Sequence, residues 1–317
     1  MLRLPAVFIG PALAVFASTL LSLNDVVMKA LSGAYALHEI VFIRSAIGFI
    51  LILVVYVPLA RTGLAAIRTR RLGLQLIRAA CVFFANITFF LGLAALPLAD
   101  AVSIFFVCPF LITIFSVVFL GESVGPRRWA AVCVGLLGTV IMMRPGTSAF
   151  QPASLYPLAA AFAYATLQIL TRVMRGSENA ISLTFYIQLF FLVACAAIGL
   201  TMGDGKWAAQ EDPSLAFLFR AWTWPPLADL PAILAIGLLT SVGGLCISEA
   251  YRRGEAALIA PYEYLALPLA IVWSITFFGE WPDALAWLGI SMILAAGLYT
   301  LWREQRIAAT RSSSGPG

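Results

Sequence analysis

Charge is the scarcest ingredient of this chain: 35 of its 317 residues are Asp, Glu, Lys or Arg, and there is a single histidine. A soluble domain carries about a quarter of its residues as charges to keep its surface wet. At 11% charged and 62% hydrophobic, this chain must turn most of its surface toward lipid. Metal and redox chemistry find little to work with. The five cysteines, Cys81, Cys108, Cys133, Cys195 and Cys246, each sit inside an apolar run, with no CxxC or Cys/His partner at ligand spacing. They read as small packing residues. No nucleotide motif and no catalytic His/Asp/Glu set is present, so neither a cofactor nor a catalytic residue is expected. The net charge of +5 comes from short basic clusters between apolar runs, not from a basic helix, which excludes nucleic acid as a partner.

What the chain does have is apolar length. A membrane helix needs about 20 mostly apolar residues. The runs between Gly, Pro and charge predict spans at 8–30, 38–59, 72–95, 99–119, 127–143, 154–174, 181–202, 230–251, 256–278 and 283–302. The N-terminal run continues to about Ala30, too long for a secretory signal, and reads as the first span. Most connections are tight. The stretch 203–229 is long, and its Trp207, Trp222, Trp224 and Pro225-Pro226 suit a segment at the membrane interface.

Lys and Arg gather in cytoplasmic loops. With the N-terminus inside and ten spans threaded, 15 of the 20 basic residues fall on the cytoplasmic side, among them Arg61, Arg68, Arg70, Arg71, Arg127, Arg128, Arg252 and Arg253. Lys29, Arg144, Lys206 and Arg220 fall outside, and Arg44 within a span. One helix more or fewer would destroy that asymmetry. A bacterial inner-membrane protein with both termini in the cytoplasm is expected.

The chain also repeats itself. At an offset of 158, Gly121-Glu122 falls on Gly279-Glu280 and Trp129 on Trp287, with Pro109 and Pro268 within one residue. At an offset of 144, Arg44 falls on Gln188, Phe42 on Tyr186 and Asn24 on Gln168. The halves are residues 1–145 and 153–305, followed by a tail, 306–317, read as disordered and cytoplasmic. Each half holds five spans, an odd number, so the second enters from the opposite face. The fold expected is all-α integral membrane, with ten transmembrane helices as two inverted-topology five-helix repeats. Such repeats recur in secondary transporters, where two interchangeable half-conformations expose one central site to either side.

With its paired Gly-Glu turns, a proline upstream of each, and Arg44 early in the second span, the sequence resembles the EamA-type family of the drug/metabolite transporter superfamily along nearly its whole length. The resemblance implies ten helices, a central cavity and both termini inside. Ala260-Pro261-Tyr262-Glu263-Tyr264 is similar to a subgroup that includes S-adenosylmethionine and riboflavin carriers, which puts those metabolites among the candidate solutes.

A charge near the bilayer centre costs about 2.5–3.5 kcal/mol on insertion scales, so each one needs a reason. Arg44 has no local partner one turn away. It is expected to meet Asp25 of the first span, either as a structural ion pair or as an anchor for an anionic or carbonyl-bearing solute. Glu263, between Pro261 and Pro268 in a helix open to distortion, suits proton coupling or cation binding, or else pairs with Arg252 or Arg253. Asn86, Gln168 and Gln188 are neutral polar candidates. Tyr164, Tyr186 and Tyr262 are the aromatics to place in a cavity first, because a buried phenol needs a partner. Other aromatics that could line it include Phe83, Phe84, Phe89, Phe90, Phe105, Phe106 and Trp273.

The function expected is transport of a small organic metabolite by alternating access, with the lipid bilayer as the other partner and a homodimer compatible with the fold. An integral-membrane enzyme would need a nucleophile with a base, or a metal set. A channel would need a polar helix face or filter loop. The chain displays neither.

Overall fold

The computed structural model describes residues 6–60, 63–121, 124–173, 180–253 and 263–313, and every regular element among them is helical. In chain order these are α1 (Ala6–Leu31), α2 (Leu37–Leu51), α3 (Leu72–Ala95), α4 (Leu98–Phe105), α5 (Cys108–Leu120), α6 (Pro126–Met143), α7 (Leu155–Val173), α8 (Ala180–Met202), α9 (Pro213–Phe219), α10 (Leu230–Arg253), α11 (Ala266–Phe278) and α12 (Ala284–Ser313). Eight stretches are long and apolar enough to cross a membrane, with two shorter apolar helices at Ala266–Phe278 and Ala284–Thr300. Exposed apolar side chains such as Val118, Phe119, Leu137, Val193 and Leu200 make the outward surface suited to lipid. This is a multi-pass membrane protein.

Local irregularities follow from the residues. The second span runs from α2 to Leu59 through a π-helical stretch, Ile52–Tyr56. Pro58 lacks the N–H that would close the regular ladder there, which accounts for the wider turn. The fourth span breaks at Phe106-Val107, just before Pro109, dividing α4 from α5. A matching break at Tyr264-Leu265 precedes α11 and Pro268. Helices α5 and α11 then end on glycines of nearly identical left-handed geometry, Gly121 at φ 67°, ψ 22° and Gly279 at φ 66°, ψ 16°. A side chain would be strained at either position.

The helices pair in a regular scheme. α1 packs on α10, α3 on α7, α2 on α8 and α6 on α12. Small residues permit the close approaches. Ala160, Ala161 and Ala165 of α7 are fully buried. A Cβ added at Gly243 of α10 would meet Leu21 at 3.1 Å. Gly138 and Gly289 bring α6 and α12 so near that a Cβ on Gly138 would sit 2.9 Å from the Gly289 carbonyl.

Two sequence expectations are changed. α12 stays helical as far as Ser313, into the stretch read as a disordered tail; Ala, Arg, Glu and Gln are good helix formers and prolong it. The 203–229 segment does more than lie at an interface. Its α9 and Trp222 fold back over the bundle end, where Trp222 contacts Phe42 at 5.6 Å and His38 at 5.7 Å between ring centroids. His38 is completely buried beneath it.

Candidate functional site

Arg44 lies in α2, two turns from its start, and is 3% exposed. Its guanidinium is held on two sides. Nη2 donates to Asn86 Oδ1 at 2.7 Å, and the planar group lies over the Phe90 ring at 5.5 Å from the centroid. Asn86 and Phe90 are one turn apart on α3, so a single helix face supplies both contacts. Nη1 is buried and finds no hydrogen-bond partner among the described residues. A buried guanidinium with a free donor is costly unless something accepts from it.

The expected Arg44–Asp25 pair does not form. Asp25 interacts with Arg44 electrostatically, but no ion pair within 4.0 Å joins them among the described residues. Asp25 Oδ1 instead accepts from the Asn24 amide at 3.2 Å, and Asn24 Oδ1 accepts from Thr240 of α10 at 3.0 Å. The reason is the choice of facing helix: α3 presents an amide to Arg44, while Asp25 is held by Asn24, which Thr240 ties to α10.

Gln188, the repeat counterpart of Arg44, is 7% exposed on α8 and packs against Gly48, one turn from Arg44 on α2. Any Cβ at Gly48 would overlap the Gln188 amide. Tyr186 lies two residues back on α8, half-buried and in edge contact with Phe185 at 5.4 Å.

A second polar group surrounds Tyr164 of α7. Gln168 lies beside its phenol, and Glu263 and Arg78 are within electrostatic reach. Glu263 also faces Cys108 electrostatically. Its position directly before the Tyr264-Leu265 break agrees with the distortion expected there. Tyr262, and the side chains of Arg252 and Arg253, lie outside the described residues.

Aromatic rings connect the two groups. From Phe90 beneath Arg44, edge contacts run to Phe89 (5.5 Å), Phe105 (5.3 Å) and Tyr164 (5.5 Å). A branch passes from Phe105 to Phe106 (6.5 Å) and then Tyr264 (5.3 Å). The structure thus gathers Arg44, Asn86, Gln188 and Asp25 toward one side, and Tyr164, Gln168 and Glu263 toward the other, with phenylalanines between them. The indole N–H of Trp273 on α11 is another buried donor without a partner among the described residues.

Sequence reasoning passed over Thr240, whose hydroxyl ties Asn24 to α10; nothing marks one threonine in an apolar helix. It also counted Lys29 only as an orientation charge.

The profile of the EamA-like transporter family matches residues 8–144 and again 151–302. A riboflavin transporter of Rhizobium johnstonii is 30% identical over 248 residues, 78% of this chain and 76% of that protein. An S-adenosylmethionine uptake transporter of Rickettsia prowazekii is 28% identical over 295 residues, 92% of each chain. A pseudopaline exporter of Pseudomonas aeruginosa is 27% identical across 90% of this chain and 94% of its own. One crystal structure superposes with a TM-score of 0.64 over 95% of this chain and 98% of its own, at 19% identity, which speaks for the fold alone. Taken with the apolar helical bundle, these matches mean that the chain belongs to the EamA-like transporter family and moves small molecules across a membrane.

Proposed function

We propose that the protein is a secondary transporter that carries a small organic metabolite across the bacterial inner membrane by alternating access. Its ten spans form two inverted five-helix halves, residues 1–145 and 153–305, with both termini in the cytoplasm. Several structural coincidences support the repeat. The helix breaks at 106–107 and 264–265, and the glycine caps at 121 and 279, recur at the offset of 158. Pairing of α1 with α10 and of α3 with α7 is the pattern in which each contact is the other's image. Phe106 and Tyr264, counterparts at that offset, touch ring to ring, as residues beside a pseudo-twofold axis would. The separate family matches to 8–144 and 151–302 agree with these boundaries.

The single observation that carries the site is the unpartnered Nη1 of Arg44, fixed by Asn86 and Phe90 and aimed at no protein acceptor among the described residues. A solute carboxylate or carbonyl would complete it. Asp25, Asn86, Gln188 and Tyr186 border this side. Tyr164, Gln168 and Glu263 form the other, where the Glu263 carboxylate suits coupling to a proton or a cation; Tyr262 remains a sequence candidate for the same side. Flat aromatic rings between the two favour a solute with a ring system, and the relatives direct the first trials to riboflavin and S-adenosylmethionine. Catalysis has no place in this reading.

Uptake of each radiolabelled metabolite into proteoliposomes, with preloaded unlabelled solute to drive exchange, tests it. Saturable uptake lost in Arg44→Met supports the proposal. Failure of every solute in a broad metabolite panel to move overturns it.

A further inference from the structure

A polar assembly centred on Lys29 lies at one end of the bundle, where α1, α3, α6 and α11 finish. Lys29 stands in the last turn of α1. Its Nζ donates to Glu280 Oε1 at 2.7 Å, to Glu280 Oε2 at 2.9 Å and to the Leu96 carbonyl at 2.7 Å. An ammonium has three N–H bonds, and all three are used. Glu280 Oε2 accepts in addition from the Leu98 N–H at 3.1 Å and from the Ser274 hydroxyl at 3.1 Å. The left-handed Gly279 turns the chain so that the Glu280 N–H reaches the Ser274 carbonyl at 3.1 Å and its carboxylate points back over the bundle. The Phe278 ring lies 5.0 Å beneath the ammonium.

A second bridge stands nearby. Arg144, just past α6, pairs with Asp283, whose Oδ1 also caps α12 by accepting from the Ala286 N–H at 2.8 Å. Asp100 of α4 interacts electrostatically with both bridges. The contacts from Lys29, Leu98 and Arg144 reach across 139 to 251 residues of chain to Glu280 and Asp283. All three donors precede residue 145, and both carboxylates follow residue 153.

We propose that the Lys29–Glu280 pair, bound to the Leu96-Pro97-Leu98 turn, is a latch that shuts this end of the transporter, and that the structure is the state in which it is closed. The inference rests on the alternating-access reading. Such a cycle needs an end that seals and then opens to water. Groups joined by ion pairs and hydrogen bonds can be released into water, because water offers each of them replacement bonds. A plug of apolar side chains would gain nothing from wetting. The pair also stands where it can be wetted, with 29% of the Glu280 side chain and 11% of the Lys29 side chain accessible. Seen so, the Gly279-Glu280 turn is a gate element and not only a helix stop.

Hydrogen exchange read by mass spectrometry on the intact protein in lipid nanodiscs tests this without any solute. The Leu98 amide is itself a ligand of the Glu280 carboxylate, so it reports the latch directly. Glu280→Gln and Lys29→Met should each raise exchange at 96–104 by about tenfold, a typical coupling between two states of a protein. The exchanged pair Lys29→Glu/Glu280→Lys should return it toward wild type. Should either single variant fail to fold, Arg144→Gln weakens the neighbouring bridge and is read at the same segment. Wild-type exchange at 96–104 in the single variants overturns the latch. So does a rise spread evenly over all helices with a lower unfolding midpoint, which is general loosening. Either negative result leaves the uptake measurements, and the transport reading they test, unaffected.

Discussion

Two charged groups in this protein are embedded among helices and treated in opposite ways. At the bundle end, Lys29 spends all three of its N–H bonds on protein acceptors. Arg44 has one hydrogen bond and an aromatic ring, and keeps a buried Nη1 with no partner among the described residues. A folding chain can satisfy a buried cation, and this one does so at Lys29. Leaving Arg44 short costs stability, which makes sense where a ligand completes the set. On the proposed reading, the satisfied Lys29 is a joint and the deficit at Arg44 is a binding position.

The largest effect that sharpens this contrast comes from Arg44→Met. Loss of an anchor that meets a buried solute charge costs about 2–5 kcal/mol of binding. Uptake into proteoliposomes should fall at least 30-fold, by roughly 1.4 kcal/mol per decade. Next in size is Glu280→Gln, which removes the charge from a four-contact carboxylate and should destabilise the closed end by about 1–3 kcal/mol. Its signature is position-specific exchange at 96–104 with α7 and α8 unchanged. Asn86→Ala is smaller, about 1–2 kcal/mol, because Arg44 remains but loses its orientation. The double variant Asn86→Ala/Arg44→Met should transport no worse than Arg44→Met alone, since both substitutions act through one guanidinium.

The smallest effect belongs to the exposed Arg144–Asp283 bridge, worth less than about 1 kcal/mol because water and salt screen it. Arg144 holds the Asp283 carboxyl below its ordinary range. A carboxylate depressed in the folded state adds stability above its unfolded pKa of about 3.9, and that stability is lost as pH falls through the lower folded value. The difference in unfolding midpoint between wild type and Asp283→Asn should therefore be constant near neutrality and vanish in strong acid. At the same end, the Asp229 carboxylate that accepts from Tyr35 pushes that phenol up to about 12, so this contact persists through neutral and mildly alkaline conditions.

Much of the architecture was legible in the residues because lipid simplifies the problem. Backbone groups in a bilayer must bond internally, so an apolar run of sufficient length means a helix. The spans read from 72–95 and 181–202 agree with α3 and α8 nearly to the residue. Gly121 and Gly279 were visible as paired turns, and their shared left-handed geometry is the physical content of that pairing. Partners were harder to read. Arg44 was assigned Asp25 by depth alone, yet helix rotation decides which side chain meets it, and α3 supplied Asn86. Lys29 looked like an ordinary charge at a span end, and its partner Glu280 is 251 residues away. No local spacing encodes such a contact. Phe90 stood in a list of aromatics that could line a cavity; only the fold distinguishes the ring under Arg44 from those that face lipid.

The most direct test of the contrast is the thermal unfolding midpoint of Arg44→Met in detergent without added solute, measured beside Lys29→Met. An unsatisfied buried charge replaced by an apolar side chain of similar length is neutral or stabilising, whereas a fully bonded one is missed. Arg44→Met should melt at or above wild type while Lys29→Met melts below it. An Arg44→Met protein that melts several degrees lower would show that Arg44 is a structural tie, and would contradict its assignment as the solute anchor.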